Sequence, residues 1–270
     1  MRQVQLPDID FVIVGAAKSA TTWLQVQLQA DPAIHMPDPE LHYFSREYER
    51  GDAWYLSQFA PTPTTRLVGE KSNSYLDTPE AAARLHAALP HARLVVMLRD
   101  PVQRAYSDYC MLLRRGEVGS DIERYLDPRV AGSGRFLSTS RYAPHLNRLL
   151  EHYNRDAIHV AQYEDVAKDP QGVVDGVRDH LGLEPRAVAA KSQGRVKDKR
   201  SAVVSPGLRK FLGPLKPLVA PLRGSRTFEA ARSVIAKRPD YPTLSDDLRI
   251  RMTEHFRVSE AELARIGITR

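Results

Sequence analysis

With 270 residues the chain can bury one sizeable core, and its length suits one α/β domain better than two. Its one cysteine, Cys110, excludes an internal disulfide framework and any multi-cysteine zinc site, and no apolar run approaches the roughly 18 residues of a membrane-spanning helix. The net charge of +6 is local: residues 191–240 hold 13 Lys and Arg against 3 Asp and Glu, and the remainder, with 26 against 30, is slightly acidic, so no extended nucleic-acid footprint is expected.

The first element is Phe11 to Val14, a β-branched run that reads as a buried strand. Gly15 permits a sharp turn after it, and Thr21 to Ala30 continues as a helix. Backbone N–H groups at such a turn face an anion, with Lys18 against a bound phosphate and Ser19, Ala20, Thr21 and Thr22 around it. A Walker loop places four residues between its first glycine and Gly-Lys-Ser/Thr; here only two separate Gly15 from Lys18-Ser19, and the second glycine is missing. Taken singly, these residues fit an ordinary strand followed by a lysine-bearing turn.

Three further apolar runs, Leu67 to Glu70, Arg93 to Leu98 and Ile158 to Gln162, read as strands. Helical patterns at Thr78 to Leu89, Val102 to Leu113, Ser140 to Tyr153 and Val173 to Leu181 alternate with them. This is the order of a doubly wound parallel sheet flanked by helices, an α/β fold with a P-loop-like first turn in a single domain, residues 1–270. Its core spans 9–185. A basic segment rich in proline, 186–240, reads as a loop and short helices, and a C-terminal helix covers 245–266. Ligands of such sheets collect beyond the carboxyl ends of the strands. There lie Lys18 to Thr22, Lys71 to Tyr75, Arg99-Asp-Pro101 with the helix after it, and Tyr163-Glu-Asp165. Each could merely be the polar end of a strand: Lys71 a solvated lysine, Arg99 a partner of Asp100 or Asp108, and Cys110 a buried thiol.

Five motifs in order resemble the sulfotransferase superfamily that uses 3′-phosphoadenosine 5′-phosphosulfate (PAPS), and within it the branch of the heparan sulfate sulfotransferases. They are Gly15-Ala-Ala-Lys18-Ser-Ala-Thr-Thr22, Glu40-Leu-His42-Tyr-Phe44, Trp54-Tyr-Leu-Ser-Gln-Phe59, Gly69-Glu-Lys71-Ser-Asn-Ser-Tyr75, and Leu98-Arg99-Asp-Pro-Val-Gln-Arg-Ala-Tyr-Ser107. The resemblance covers residues 9–185. It implies a 5′-phosphosulfate on the Lys18 loop, a 3′-phosphate on Arg99 and Ser107, Tyr163 beside the adenine, and a late basic loop for which Lys197, Lys199 and Arg200 are the candidates. It also implies Glu40 as general base, with His42 as its orienting partner or the alternative base, and Lys71 near the bridging oxygen. Lys18 then stabilises the leaving group, adenosine 3′,5′-bisphosphate (PAP).

Sulfuryl transfer proceeds by in-line displacement that needs positioning and neutralisation of the departing phosphate, so no metal is expected. The acceptor is a hydroxyl or amine of a carbohydrate, glycolipid or small metabolite. The single cysteine speaks against the disulfide that glycosaminoglycan enzymes commonly carry late in the chain, and Thr22 stands where they often have a basic residue. Composition rich in alanine and arginine, without a signal-like segment, points to a bacterial, cytoplasmic protein. Residues 208–223 could touch a membrane or lipid. Two other readings stay open: a P-loop kinase-like phosphotransferase with Asp100 as its magnesium-binding aspartate, and a basic module for nucleic acid or anionic membrane without catalysis.

Overall fold

A five-stranded sheet with every pairing parallel organises the computed structural model, which describes residues 3–189 and 240–268. The strands are β1 Phe11–Gly15, β2 Ile34–His35, β3 Leu67–Lys71, β4 Arg93–Leu98 and β5 Ile158–Gln162, in the spatial order β2-β3-β1-β4-β5. β1, at the centre, pairs Val12 with Glu70 and Ile13 with Lys71 on one side, and Ile13 with Val95 on the other. Successive side chains of a strand face opposite ways, and both faces of this sheet are covered, so β1 and β4 read as unbroken apolar runs.

One face buries Val12, Val14, Leu94, Val96 and Leu98 with α2 (Gly51–Ser57), α3 (Ala81–Ala88) and α8 (Tyr142–Leu150), through Tyr55, Leu85, Leu146 and Leu149. The opposite face buries Phe11, Ile13, Val95 and Met97 against α1 (Thr21–Gln29) and α10 (Pro170–His180), through Trp23, Leu24, Leu28, Val173 and Val177. Each of these large side chains contributes about 1.5–3 kcal/mol by leaving water. Helices on both faces confirm the doubly wound arrangement expected of the sequence. β2, only two residues long, has no period to read.

Among the described residues the chain divides into two compact units, one within Met1–Arg104, Thr139–Val196 and Glu254–Arg270, the other within Ala105–Ser138 and Lys197–Thr253. The first carries the sheet. The second holds most of α4 (Pro101–Arg115), the short helices α5 (Ile122–Leu126), α6 (Pro128–Ala131) and α7 (Arg135–Ser138), and the start of α11 (Asp246–Arg265). Within it, buried Asp127 accepts from Arg129 and pairs with Arg251, and these hydrogen bonds and charges hold its carboxyl down at about 2 despite burial. No helix among the described residues is long and apolar enough to cross a membrane.

Candidate functional site

The turn after β1 is locked from behind. A Cβ on Gly15, at φ +148°, would meet Leu76 Cβ at 2.9 Å and the Asn73 carbonyl oxygen at 3.0 Å, so the glycine lets the turn after β3 pack against it. Lys18 and Ala20 sit at φ +73° and +64°, left-handed conformations that cost non-glycine residues roughly 1–2 kcal/mol each. Ala20 is the N-cap of α1 and has no side chain to cap with, which leaves the first-turn N–H groups open to a ligand. Thr21 is buried and Thr22 half-buried; Ser19 is fully buried, and its hydroxyl has no hydrogen-bond partner among the described residues.

β3 delivers Lys71 to the same place, and it is no solvated strand-end lysine: its side chain is 3% exposed. The ammonium donates to Thr22 Oγ1 at 3.4 Å and to Glu40 Oε1 at 2.8 Å. Glu40 also accepts from the Asn73 backbone N–H and side-chain Nδ2, both at 3.1 Å, and its Oε2 lies 3.6 Å from His42 Nε2. Burial pushes the Glu40 carboxyl up, but the Lys71 hydrogen bond and charge, the Asn73 N–H and His42 together hold it below its ordinary value. It is therefore ionised at neutral pH.

His42 has φ +53° and is fastened at both ends. Its backbone N–H donates to Ser72 Oγ at 2.9 Å, its Nδ1 lies 2.7 Å from Ser74 Oγ, and the exposed Arg46 guanidinium reaches both ring nitrogens at 3.0–3.1 Å. Burial first, then Arg46, depress its proton affinity, so the ring is neutral at pH 7. Tyr43 and Phe44, just beyond, anchor this loop in an aromatic cluster with Tyr55 and Tyr75.

Arg99, one residue past β4, donates to the Lys18 carbonyl at 3.1 Å, and its guanidinium carbon lies 4.2 Å from the centre of the Tyr163 ring. Its Nε is buried and has no hydrogen-bond partner among the described residues. The alternative uses of its neighbour are not favoured: Asp100 Oδ1 accepts the Gln103 N–H at 2.8 Å, which makes it the cap of α4. Ser107 is half-buried on α4, eight residues beyond Arg99, and falls in the second unit. Lys197, Lys199 and Arg200, and the 208–223 segment, lie outside the described residues.

The first unit thus joins Arg99 to Lys18 and Tyr163, and Lys71 to Thr22 and the Glu40–His42 pair, with Lys18, Ser19 and Thr22 on one loop after β1. Two buried polar groups lacking partners, Ser19 Oγ and Arg99 Nε, in a setting lined by Lys18, suit the phosphates of a nucleotide. Sequence reading passed over Asn73, Ser74, Arg46 and Glu70. Glu70, Asn73 and Ser74 stand inside the Gly69–Tyr75 motif, but only the fold shows which groups they meet.

That combination, a short phosphate-type loop on a parallel sheet with a lysine-held carboxylate beside it, is suited to group transfer from a nucleotide. The sequence profile of the sulfotransferase family matches residues 52–186, half of the chain, and the chain belongs to that family. The matched stretch includes Lys71, Arg99, Ser107 and Tyr163, whereas Lys18 and Glu40 precede it. Human heparan sulfate glucosamine 3-O-sulfotransferase 3B1 is 34% identical over 185 residues, 67% of this chain and 47% of the relative. The bifunctional heparan sulfate N-deacetylase/N-sulfotransferase 1 of Caenorhabditis briggsae is 29% identical over 287 residues, 92% of this chain and 32% of that protein. The chain thus spans about a third to a half of the length of these relatives. In fold it is similar to a sulfotransferase from Alicyclobacillus acidocaldarius, with a TM-score of 0.70, 24% identity and 97% of both chains covered.

Proposed function

We propose that this chain transfers a sulfuryl group from PAPS to a hydroxyl of a carbohydrate, with Glu40 as the general base. The observation that carries this reading is the Lys71 ammonium, which touches both Thr22 of the phosphate-type loop and Glu40. It puts a proton acceptor within one side chain of the place where the donor's phosphosulfate would lie. The heparan sulfate enzymes among the relatives support a carbohydrate acceptor, and the family supports the donor.

In this reading Lys18, Ser19 and the first turn of α1 hold the 5′-phosphosulfate, and Arg99, braced by Tyr163 and the Lys18 carbonyl, takes the 3′-phosphate. The donor supplies the sulfuryl group; what remains for the protein is alignment and one proton. Glu40 Oε2 accepts that proton from the acceptor hydroxyl. A carboxylate so strongly stabilised is a weak base, and Lys71 resolves the conflict. As negative charge builds on the departing phosphate, the ammonium turns toward it, Glu40 loses its strongest hydrogen bond, and its basicity rises when the proton must move. His42 keeps the carboxylate oriented while its own ring stays neutral. The lone cysteine, Cys110, is buried and leaves the chain without an internal disulfide, which supports a reducing, cytoplasmic setting.

Glu40→Gln tests the assignment. Turnover of labelled PAPS onto a heparan-type oligosaccharide should fall by about 10²–10⁴-fold, the usual worth of a general base, while calorimetry finds PAP affinity intact. Turnover close to wild type would remove Glu40 from the mechanism.

A further inference from the structure

Directly before Lys71 in the chain stands Glu70, a fully buried carboxyl that plays no part in the reaction outlined above. Among the described residues every hydrogen bond its carboxyl receives comes from a hydroxyl: Tyr75 at 2.7 Å and Tyr55 at 3.3 Å on Oε1, and Ser72 at 2.7 Å on Oε2. Burying a carboxyl among apolar and aromatic side chains is costly, and an amide or a leucine there would avoid the cost. The Ser72 hydroxyl is the informative partner. By donating its one proton to Glu70 it turns a lone pair toward the His42 N–H, which it accepts at 2.9 Å. His42 is the residue at φ +53°, a conformation that a non-glycine residue holds only when its surroundings impose it.

We propose that Glu70 is a positioning residue, its carboxylate setting the Ser72 hydroxyl that fixes the His42 backbone and, through it, the Glu40–His42 pair. This rests on the sulfuryl-transfer reading for its catalytic consequence, but the chain of contacts from Glu70 to His42 stands apart from it. The contacts also make the arrangement sensitive to pH. Desolvation, aided by the Glu40 charge, lifts the Glu70 carboxyl to about 7 against the three hydroxyl donors that favour its charged form. Around Glu70 the groups that face it are the Tyr55 phenol from α2, Ser72 and Tyr75 from the turn after β3, Glu40 from its loop, and apolar Val12 paired across from β1. Among the described residues no cation is hydrogen-bonded to it. Once protonated, Glu70 becomes a donor, and a hydroxyl that gave it a proton must turn. If Ser72 turns, its lone pair is taken from the His42 N–H.

Two readouts decide the matter. In wild-type protein the His42 backbone amide, followed by NMR, should shift as pH passes through about 7, and that shift should vanish in Glu70→Gln and in Ser72→Ala. In parallel, kcat for sulfuryl transfer should decline as pH falls through about 7; Glu70→Gln should lose this limb and run at the low-pH rate throughout, up to about 10²-fold below wild type, with PAP affinity unchanged. Ser72→Ala leaves Glu70 its two tyrosines, so it remains informative if Glu70→Gln folds poorly. A His42 amide indifferent to pH near 7, or one that shifts equally in both variants, overturns the proposal. Wild-type protein that shows the amide shift but transfers no sulfuryl group supports the positioning role and refutes the proposed function instead.

Discussion

Glu70 also makes a prediction about stability that needs no substrate. Its carboxyl is fully buried and titrates at about 7 in the folded protein, against an ordinary 4.5. Below 4.5 the group is protonated in both folded and unfolded chains and pH has no leverage. Between 4.5 and about 7 the unfolded chain gives up the proton while the folded one keeps it, so the folded state binds more protons and stability falls as pH rises. Above about 7 both forms are ionised and the loss is complete. At about 1.4 kcal/mol per pH unit, the interval is worth roughly 3 kcal/mol, a large share of the 5–15 kcal/mol that holds a typical domain together. Glu70→Gln keeps the shape without a titrating proton, its amide standing in for the protonated carboxyl, so that a hydroxyl turns to accept from it at every pH. Urea denaturation at a series of pH values should therefore show wild type losing ground to the variant as pH rises from about 4.5 to 7, with the two parallel outside that interval. Parallel curves throughout would refute the reasoning.

The phosphate-type loop yields a sharper contrast. Ser19→Ala removes a buried hydroxyl with no partner among the described residues, so thermal stability should hold or rise while calorimetric PAP affinity drops by about ten-fold, the worth of a hydrogen bond to a charged group. Arg99→Ala should weaken PAP binding by more than Ser19→Ala does, and the loss should shrink at high salt if charge carries it. Arg46→Ala removes a cation from both ring nitrogens of His42; NMR titration should find the imidazole holding its proton to higher pH than in wild type. Gly69→Ala would bring a Cβ to 2.4 Å from the Phe11 ring in the sheet centre and should destabilise by about 1–3 kcal/mol or more, read from the denaturation midpoint.

How much of this was visible in the sequence depended on whether a residue's role is local. The four longer strands announce themselves because both faces of the sheet are covered, which makes Phe11 to Val14 and Leu94 to Leu98 continuously apolar. Lys18, Lys71 and Arg99 could be picked out because strand ends in such sheets are where ligands collect, and the fold does bring Lys18 to Arg99 and Lys71 to the first turn of α1. Asp100 looked equally eligible, and its capping of Gln103 shows that position at a strand end does not by itself assign a role. The contacts 30 or more residues apart were hidden. That Lys71 would hold Glu40, that Asn73 would bind both of its oxygens, and that Ser72 would carry His42 are consequences of one loop laid over the end of β3, which no periodicity encodes.

β3 explains why those contacts come in a set. Glu70 and Lys71 are neighbours on one strand, so their side chains leave it on opposite faces: Glu70 opposite Val12, toward Tyr55 and Tyr75, and Lys71 opposite Ile13, toward α1. Yet both lines of contact end on one short loop, at Glu40 and His42. Lys71 grips the Glu40 side chain directly, and Glu70 reaches the His42 backbone through Ser72. A shift of β3 by one residue would exchange the two faces, burying an ammonium among the tyrosines and turning a carboxylate toward the phosphate-type loop. The charges on consecutive residues therefore specify the register of β3 as firmly as its apolar residues do. The same register that seats the strand in the core aims the cation at the loop and the carboxyl at the Ser72 hydroxyl that carries the His42 backbone.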